Sequence, residues 1–138
     1  MSYAGDVSVE DAWARLRDDS AALMIDVRTR AEWSYVGLPN LAQTGKKLAL
    51  VEWQNFPGGE ANPSFVDDVK ALGAPPDAPL FFICRSGARS RSAAIALTAT
   101  GYTQCFNVAG GFEGDQDENG HRSTVGGWKA AGLPWEQS

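Results

Sequence analysis

Cysteine and histidine are scarce in this chain: two cysteines, Cys84 and Cys105, and a single histidine, His121. Two cysteines cannot build a disulfide framework, and their separation matches no metal-ligand spacing. The lone histidine lies in a polar stretch without a partner that would help it hold a metal. Long apolar runs are missing as well. None approaches the roughly 20 residues a membrane-crossing helix needs, and the opening MSYAGDVSVEDAWARL has no basic region leading into an apolar core. Excess positive charge is the third absence. The 17 Asp and Glu outnumber the 12 Lys and Arg, for a net charge of -5, which argues against a nucleic-acid or anionic-membrane surface. These absences point to a cytoplasmic protein in a reducing compartment, with no metal, cofactor, nucleic acid or membrane to serve.

What is present reads as one α/β domain over residues 1–138. Four short apolar runs have strand length: 22–27 (ALMIDV), 47–53 (KLALVEW), 79–84 (PLFFIC) and 104–108 (QCFNV). Their lack of polar alternation suggests burial on both faces, as in a mainly parallel sheet of four to five strands with helices on both sides. Helices are expected after Ser8, where Val9, Trp13 and Leu16 share a face. Others are expected over 63–72, with Asn62 as cap, Pro63 first and Gly73 as stop, and over 88–100, closed by Gly101. A last short helix is expected near 125–131. The stretches 54–64 and 113–127 read as surface loops. The second contains Asp115, Asp117, Asn119 and Gly120, the opening spacing of a calcium loop, but its twelfth position is Gly126 instead of a bidentate Glu, so a polar turn is the reading.

The charge cluster is the feature that bulk composition does not explain. An acidic chain places Arg85, Arg89 and Arg91 within eight residues of Cys84. Cys84 ends a strand and a helix begins a few residues on, which is where open α/β sheets bind ligands. The helix N-terminus and the neighbouring guanidinium groups both favour a thiolate. Gly87 lets the backbone turn so that successive N–H groups point inward and form an anion nest. A thiolate beneath such a nest attacks either phosphorus in a phosphate ester or a sulfur attached to an oxyanion. Cysteine phosphatases need Cys-x5-Arg, which would put arginine at position 90; that residue is Ser90, and the arginine falls one place earlier, at Arg89.

With that spacing, CRSGARS (84–90) resembles the active-site loop of the rhodanese family of sulfurtransferases, a six-residue cradle from Cys84 to Arg89. IDVRTRAEW (25–33) resembles the family's Asp-Val-Arg signature, with Asp26, Arg28, Glu32 and Trp33 at the matching positions. NVAGGF (107–112) and GWKAAGLPW (127–135) resemble two later elements. The family's Gly-His-Ile-Pro-Gly-Ala is replaced here by VGLPNL (36–41), which has no histidine.

The resemblance implies a rhodanese-like fold and a thiosulfate sulfurtransferase-type enzyme. Cys84 would attack the outer sulfur of thiosulfate or a similar small anionic donor, sulfite would leave, and the persulfide would pass its sulfur to a thiol or protein acceptor. Arg85, Ser86, Gly87, Ala88 and Arg89 would bind the donor and the developing charge through backbone N–H groups and guanidinium. Asp26, Arg28 and Ser90 would support the loop from behind. A carrier or docking module of the same fold is the alternative, and a phosphatase or arsenate reductase is disfavoured. Cys105 and Arg91 read as a core strand residue and a solvated helix residue, and Arg28 with Glu32 as an ion pair across one helical turn.

Overall fold

A computed structural model describes residues 2–137. Its centre is a five-stranded, wholly parallel sheet in the order β1-β6-β5-β2-β4. The strands are β1 (Gly5–Val7), β2 (Leu23–Asp26), β4 (Ala49–Leu50), β5 (Leu80–Ile83) and β6 (Cys105–Val108); the two-residue strands β3 (Leu38–Pro39) and β7 (Trp135–Glu136) pair antiparallel in a small separate sheet. The helices are α1 (Val9–Asp18), α2 (Arg30–Tyr35), α3 (Phe65–Lys70), α4 (Ala88–Thr98) and α5 (Gly127–Ala130).

Period-two alternation sorts the sheet's side chains into two cores. Ile25, Val27, Leu80, Phe82, Cys84 and Cys105 pack with Phe65 and Val69 of α3 and Ala93, Ala94 and Leu97 of α4. Met24, Phe81, Ile83 and Val108 face the other way, onto Val9, Ala12 and Leu16 of α1 and Trp128 of α5. Helices therefore cover both faces, as the unalternating strands imply. All four residues of β5 are buried, because β5 is central in the sheet and covered on both sides.

The expected elements appear with shifted ends. Ser8 caps α1, its hydroxyl accepting from the Asp11 N–H at 3.0 Å. The helix expected from Pro63 starts at Phe65, because Asn62 accepts from the Ser64 N–H and donates to the Glu52 carbonyl, a turn that delays the helix. The strand expected over 47–53 contracts to Ala49–Leu50, an edge with only β2 beside it; single bonds from Val51 N–H to Asp26 and from Trp53 N–H to Val27 continue the contact. The Trp128 indole donates to the Pro134 carbonyl at 2.7 Å, tying the C-terminal Gly-Leu-Pro turn to the second core. Among the described residues no helix is long and apolar enough to cross a membrane.

Candidate active site

Cys84 follows the last residue of β5, and α4 begins four residues later. The intervening turn is built on Gly87, at φ 122°, a conformation that side chains with a Cβ adopt only under strain. This geometry brings the Gly87 N–H back to the Cys84 sulfur at 3.1 Å. No side chain caps α4 at Gly87, so the first-turn N–H groups of Ala88, Arg89 and Ser90 have no intrahelical acceptor and face outward from the helix start. Free N–H groups at a helix start suit an anion, the property the sequence expectation of a nest relies on.

A second turn supports the loop from behind. The Cys84 carbonyl accepts from Phe112 N–H at 2.8 Å, and the Arg85 carbonyl accepts from the N–H groups of Glu113 and Gly114. The approach is close enough that a Cβ at Gly111, φ 62°, would lie 2.5 Å from the Cys84 carbonyl oxygen. The Gly-Gly-Phe segment is thus a backbone platform that turns the loop's carbonyls away and leaves its N–H groups for a ligand.

Beneath the platform lies a buried ion pair. Arg28 and Asp26 are both fully buried, and Arg28 donates to both Asp26 oxygens, with Nη2 to Oδ2 at 2.7 Å. Nη2 also donates to the Gly37 carbonyl, and the guanidinium carbon stands 4.4 Å from the Phe112 ring centroid. The pair braces the Phe112 platform behind the loop. The ion pair expected between Arg28 and Glu32 does not form. Arg28 turns inward to Asp26, and Glu32 pairs with Arg89 instead, at 2.7 and 2.9 Å.

That second pair separates the two loop arginines. Arg89 is fixed in a two-pronged contact to α2. Burial pushes the Glu32 carboxyl up, but hydrogen bonds and charge from Arg89 outweigh it and hold Glu32 below its ordinary range. Arg89 is raised in turn by its bonds to Glu32, against burial, and its electrostatic interactions with Cys84 and Asp26 act in the same direction. Arg85 is exposed and, among the described residues, makes no salt bridge. Ser86 and Gly87 are half-buried, Ala88 is exposed, and Ser90 is buried with its hydroxyl 3.1 Å from the Cys84 sulfur. Cys84 itself is 1 % exposed, so the loop admits only a slender group to the sulfur.

The remaining candidates lie apart from the loop. Cys105 is fully buried, and desolvation raises its thiol against a weaker opposing bond from Thr98. It pairs in register with Leu80, four strand positions from Cys84 or about 13 Å at the usual rise, which is too far for a disulfide. Asp117 uses its carboxylate on the N–H groups of Asn119 and His121 and on the Thr124 hydroxyl, the polar turn read from the sequence. No cluster suited to a metal occurs among the described residues. Sequence reasoning overlooked Glu32 as a partner of the loop, and Asp6 and Asn107, which join Ser90 in a hydrogen-bond chain. The Thr29-x-x-Glu32 capping box was the available signal for α2.

Residues 4–138 match the family model described as the STR4 middle domain. The chain belongs to that family. An uncharacterized protein of Rickettsia rickettsii, an RP600 homolog, is 38% identical over 126 residues, 91% of each chain. The thiosulfate sulfurtransferase GlpE of Actinobacillus succinogenes is 30% identical over 131 residues, covering 95% of this chain and 89% of that protein. The crystal structure of Rv0390 from M. tuberculosis superposes with a TM-score of 0.91 at 43% identity, covering 99% of this chain and 100% of the other. More distant members of this STR4-type neighbourhood are rhodanese-like proteins and sulfurtransferases, in agreement with the resemblance carried by the loop.

Proposed function

We propose that this chain is a sulfurtransferase that carries sulfane sulfur on Cys84 as a persulfide, taking it from thiosulfate or a similar small anion. The observation that carries the reading is the 3.1 Å contact from Gly87 N–H to the Cys84 sulfur at the start of α4, in a loop one residue too short for the cysteine phosphatase cradle. Cys84 thiolate attacks the outer sulfur of thiosulfate; the sulfur–sulfur bond breaks and sulfite departs with its electron pair. The new Cys84–S–S anion lies among the N–H groups of the loop and helix start, which stabilise its charge. An acceptor thiolate then attacks the terminal sulfur, leaves as its own persulfide, and returns Cys84 as thiolate.

The exposed Arg85 is placed to meet the donor's oxyanion at the rim, while Arg89, held by Glu32, fixes the loop and adds positive charge beneath it. Kinship with a thiosulfate sulfurtransferase at 30% identity supports the choice of donor. Steady-state production of thiocyanate from thiosulfate and cyanide tests the reading. Parallel double-reciprocal lines, lost in Cys84→Ser, are expected; intersecting lines, or activity that survives Cys84→Ser, would overturn it.

A further inference from the structure

Cys84 receives opposing signals. Gly87 N–H and the Arg89 charge favour a sulfur anion, yet the contact with Ser90 points the other way, and its direction is set at the edge of the sheet. Asp6 on β1 stands opposite Asn107 on β6. Asp6 Oδ1 accepts from the Tyr3 hydroxyl at 2.7 Å and from Asn107 Nδ2 at 3.0 Å. A carboxylate only accepts, so the Asn107 amide is held with its NH2 toward β1 and its oxygen toward the core. That oxygen lies 2.6 Å from the Ser90 hydroxyl oxygen. An amide oxygen also only accepts, so the single Ser90 hydrogen points at Asn107. The Cys84 sulfur, 3.1 Å from the same hydroxyl, therefore faces oxygen lone pairs. Turned this way, Ser90 has no hydrogen to give the sulfur. Ser90 is fully buried and Asn107 is 4% exposed, a setting in which an unpaired polar group is costly.

We infer that Asp6 and Asn107 are positioning residues for Cys84: by holding the Ser90 hydrogen on Asn107, they withhold a donor from the free thiolate and so favour the persulfide over it. Ionising Cys84 in place would set a sulfur anion against an oxygen lone pair. Relief requires the Ser90 hydroxyl to swing to sulfur, which strips the buried Asn107 oxygen of its donor. In a persulfide the charge sits chiefly on the outer sulfur, so the conflict at the inner sulfur eases. The network thus favours the loaded state over the free thiolate. Its significance for catalysis rests on the proposed sulfur transfer, but its test does not.

Charged and titratable groups around Cys84 include Arg85 and Arg89 after it, Asp26 and Arg28 from the end of β2, Glu32 through Arg89, and Asp6, Tyr3 and Arg91 through the network. The experiment is the pH dependence of iodoacetamide alkylation of Cys84, followed by intact mass, in about 0.5 M salt to screen exposed charge. Wild type, Ser90→Ala, Asp6→Ala and the double variant are compared; Asp6 is exposed, which suits it to substitution. Ser90→Ala is expected to lower the midpoint by about one pH unit, a roughly tenfold rise in rate at pH values below it. Asp6→Ala is expected to lower it in the same direction, and the double variant to fall no further than Ser90→Ala alone. A midpoint that rises or stays put in Ser90→Ala would mean that Ser90 does not disfavour the thiolate, and overturns the inference. So does an Asp6→Ala shift that is absent, or that survives undiminished in the double variant, which marks a through-space charge effect. A chain that moved no sulfur would still give this readout.

Discussion

Arg85 and Arg89 are the same residue type four positions apart, and their surroundings divide the work between them. Arg89 is committed to Glu32 and Arg85 is uncommitted, so their alanine variants should fail differently. Arg85→Ala is expected to raise the KM for thiosulfate about tenfold, the loss of one charge-assisted contact, with an unchanged melting temperature and little effect on an uncharged sulfane donor. Arg89→Ala is expected to lower both the melting temperature and kcat, because it frees Glu32 and the loop together. Equal losses with both donors in Arg85→Ala would show that this residue, too, only holds the loop. Gly87 gives a third contrast. A Cβ there would meet Asn107 Nδ2 at 3.7 Å and Gly110 N at 3.9 Å, ordinary contacts, so the cost of Gly87→Ala is backbone strain at φ 122°, about 2 kcal/mol. Chemical denaturation measures that loss; a neutral Gly87→Ala would mean the turn has a relaxed alternative.

At the scale of elements, what the sequence announced depended on whether an element buries an apolar face. β2, β5 and β6 lie in the buried middle of the sheet and read as continuous apolar runs. α1 showed its Ser8 cap and its Val9 and Leu16 face. α2 has no buried residue, so no periodicity marks it, and its capping box, unread in the sequence, was its one local signal. β1 was invisible for a related reason: it is an edge strand of three residues, with an exposed Asp6 between half-buried Gly5 and Val7. Both concealed elements supply partners to the loop, Glu32 from α2 and Asp6 from β1. The Cys84 loop itself was legible because its charge, its glycine and its place after a strand are local properties. The Arg89–Glu32 pair spans 57 positions, and pattern reading paired Glu32 with nearby Arg28 instead.

The pair also carries a pH signature. Folding lowers the Glu32 carboxyl below its unfolded value, so its stabilisation is complete above the ordinary carboxylate range and is lost as pH falls through the depressed folded value. Glu32→Gln is therefore expected to cost about 2 kcal/mol at neutral pH, a gap that closes in acid below about pH 4. Melting curves across that range check it; a gap independent of pH would mean the loss is one of shape alone. Strand register supplies a further expectation. Cys105→Ala should leave sulfur loading at Cys84 untouched, since the two thiols lie about 13 Å apart along one face, and stoichiometry by mass decides the matter.

For the molecule as a whole, the sheet order accounts for the setting of Cys84. β5 is the middle strand of five, covered by α3 and α4 on one face and by α1 and α5 on the other, so its carboxyl end is framed on both sides. The strand closes in a loop with its carbonyls bound behind and its N–H groups free in front. The net charge of -5 disfavours small anions overall, and the arginines beside Cys84 offset it locally. The close superposition on the M. tuberculosis protein across the whole chain indicates that this frame is shared within the family. The measurement that bears most directly on the account is the intact mass of the protein after incubation with thiosulfate and removal of excess reagent. A gain of one sulfur atom that is lost in Cys84→Ser, and discharged by a thiol, is the predicted result; no gain, or a gain that persists in Cys84→Ser, would contradict it.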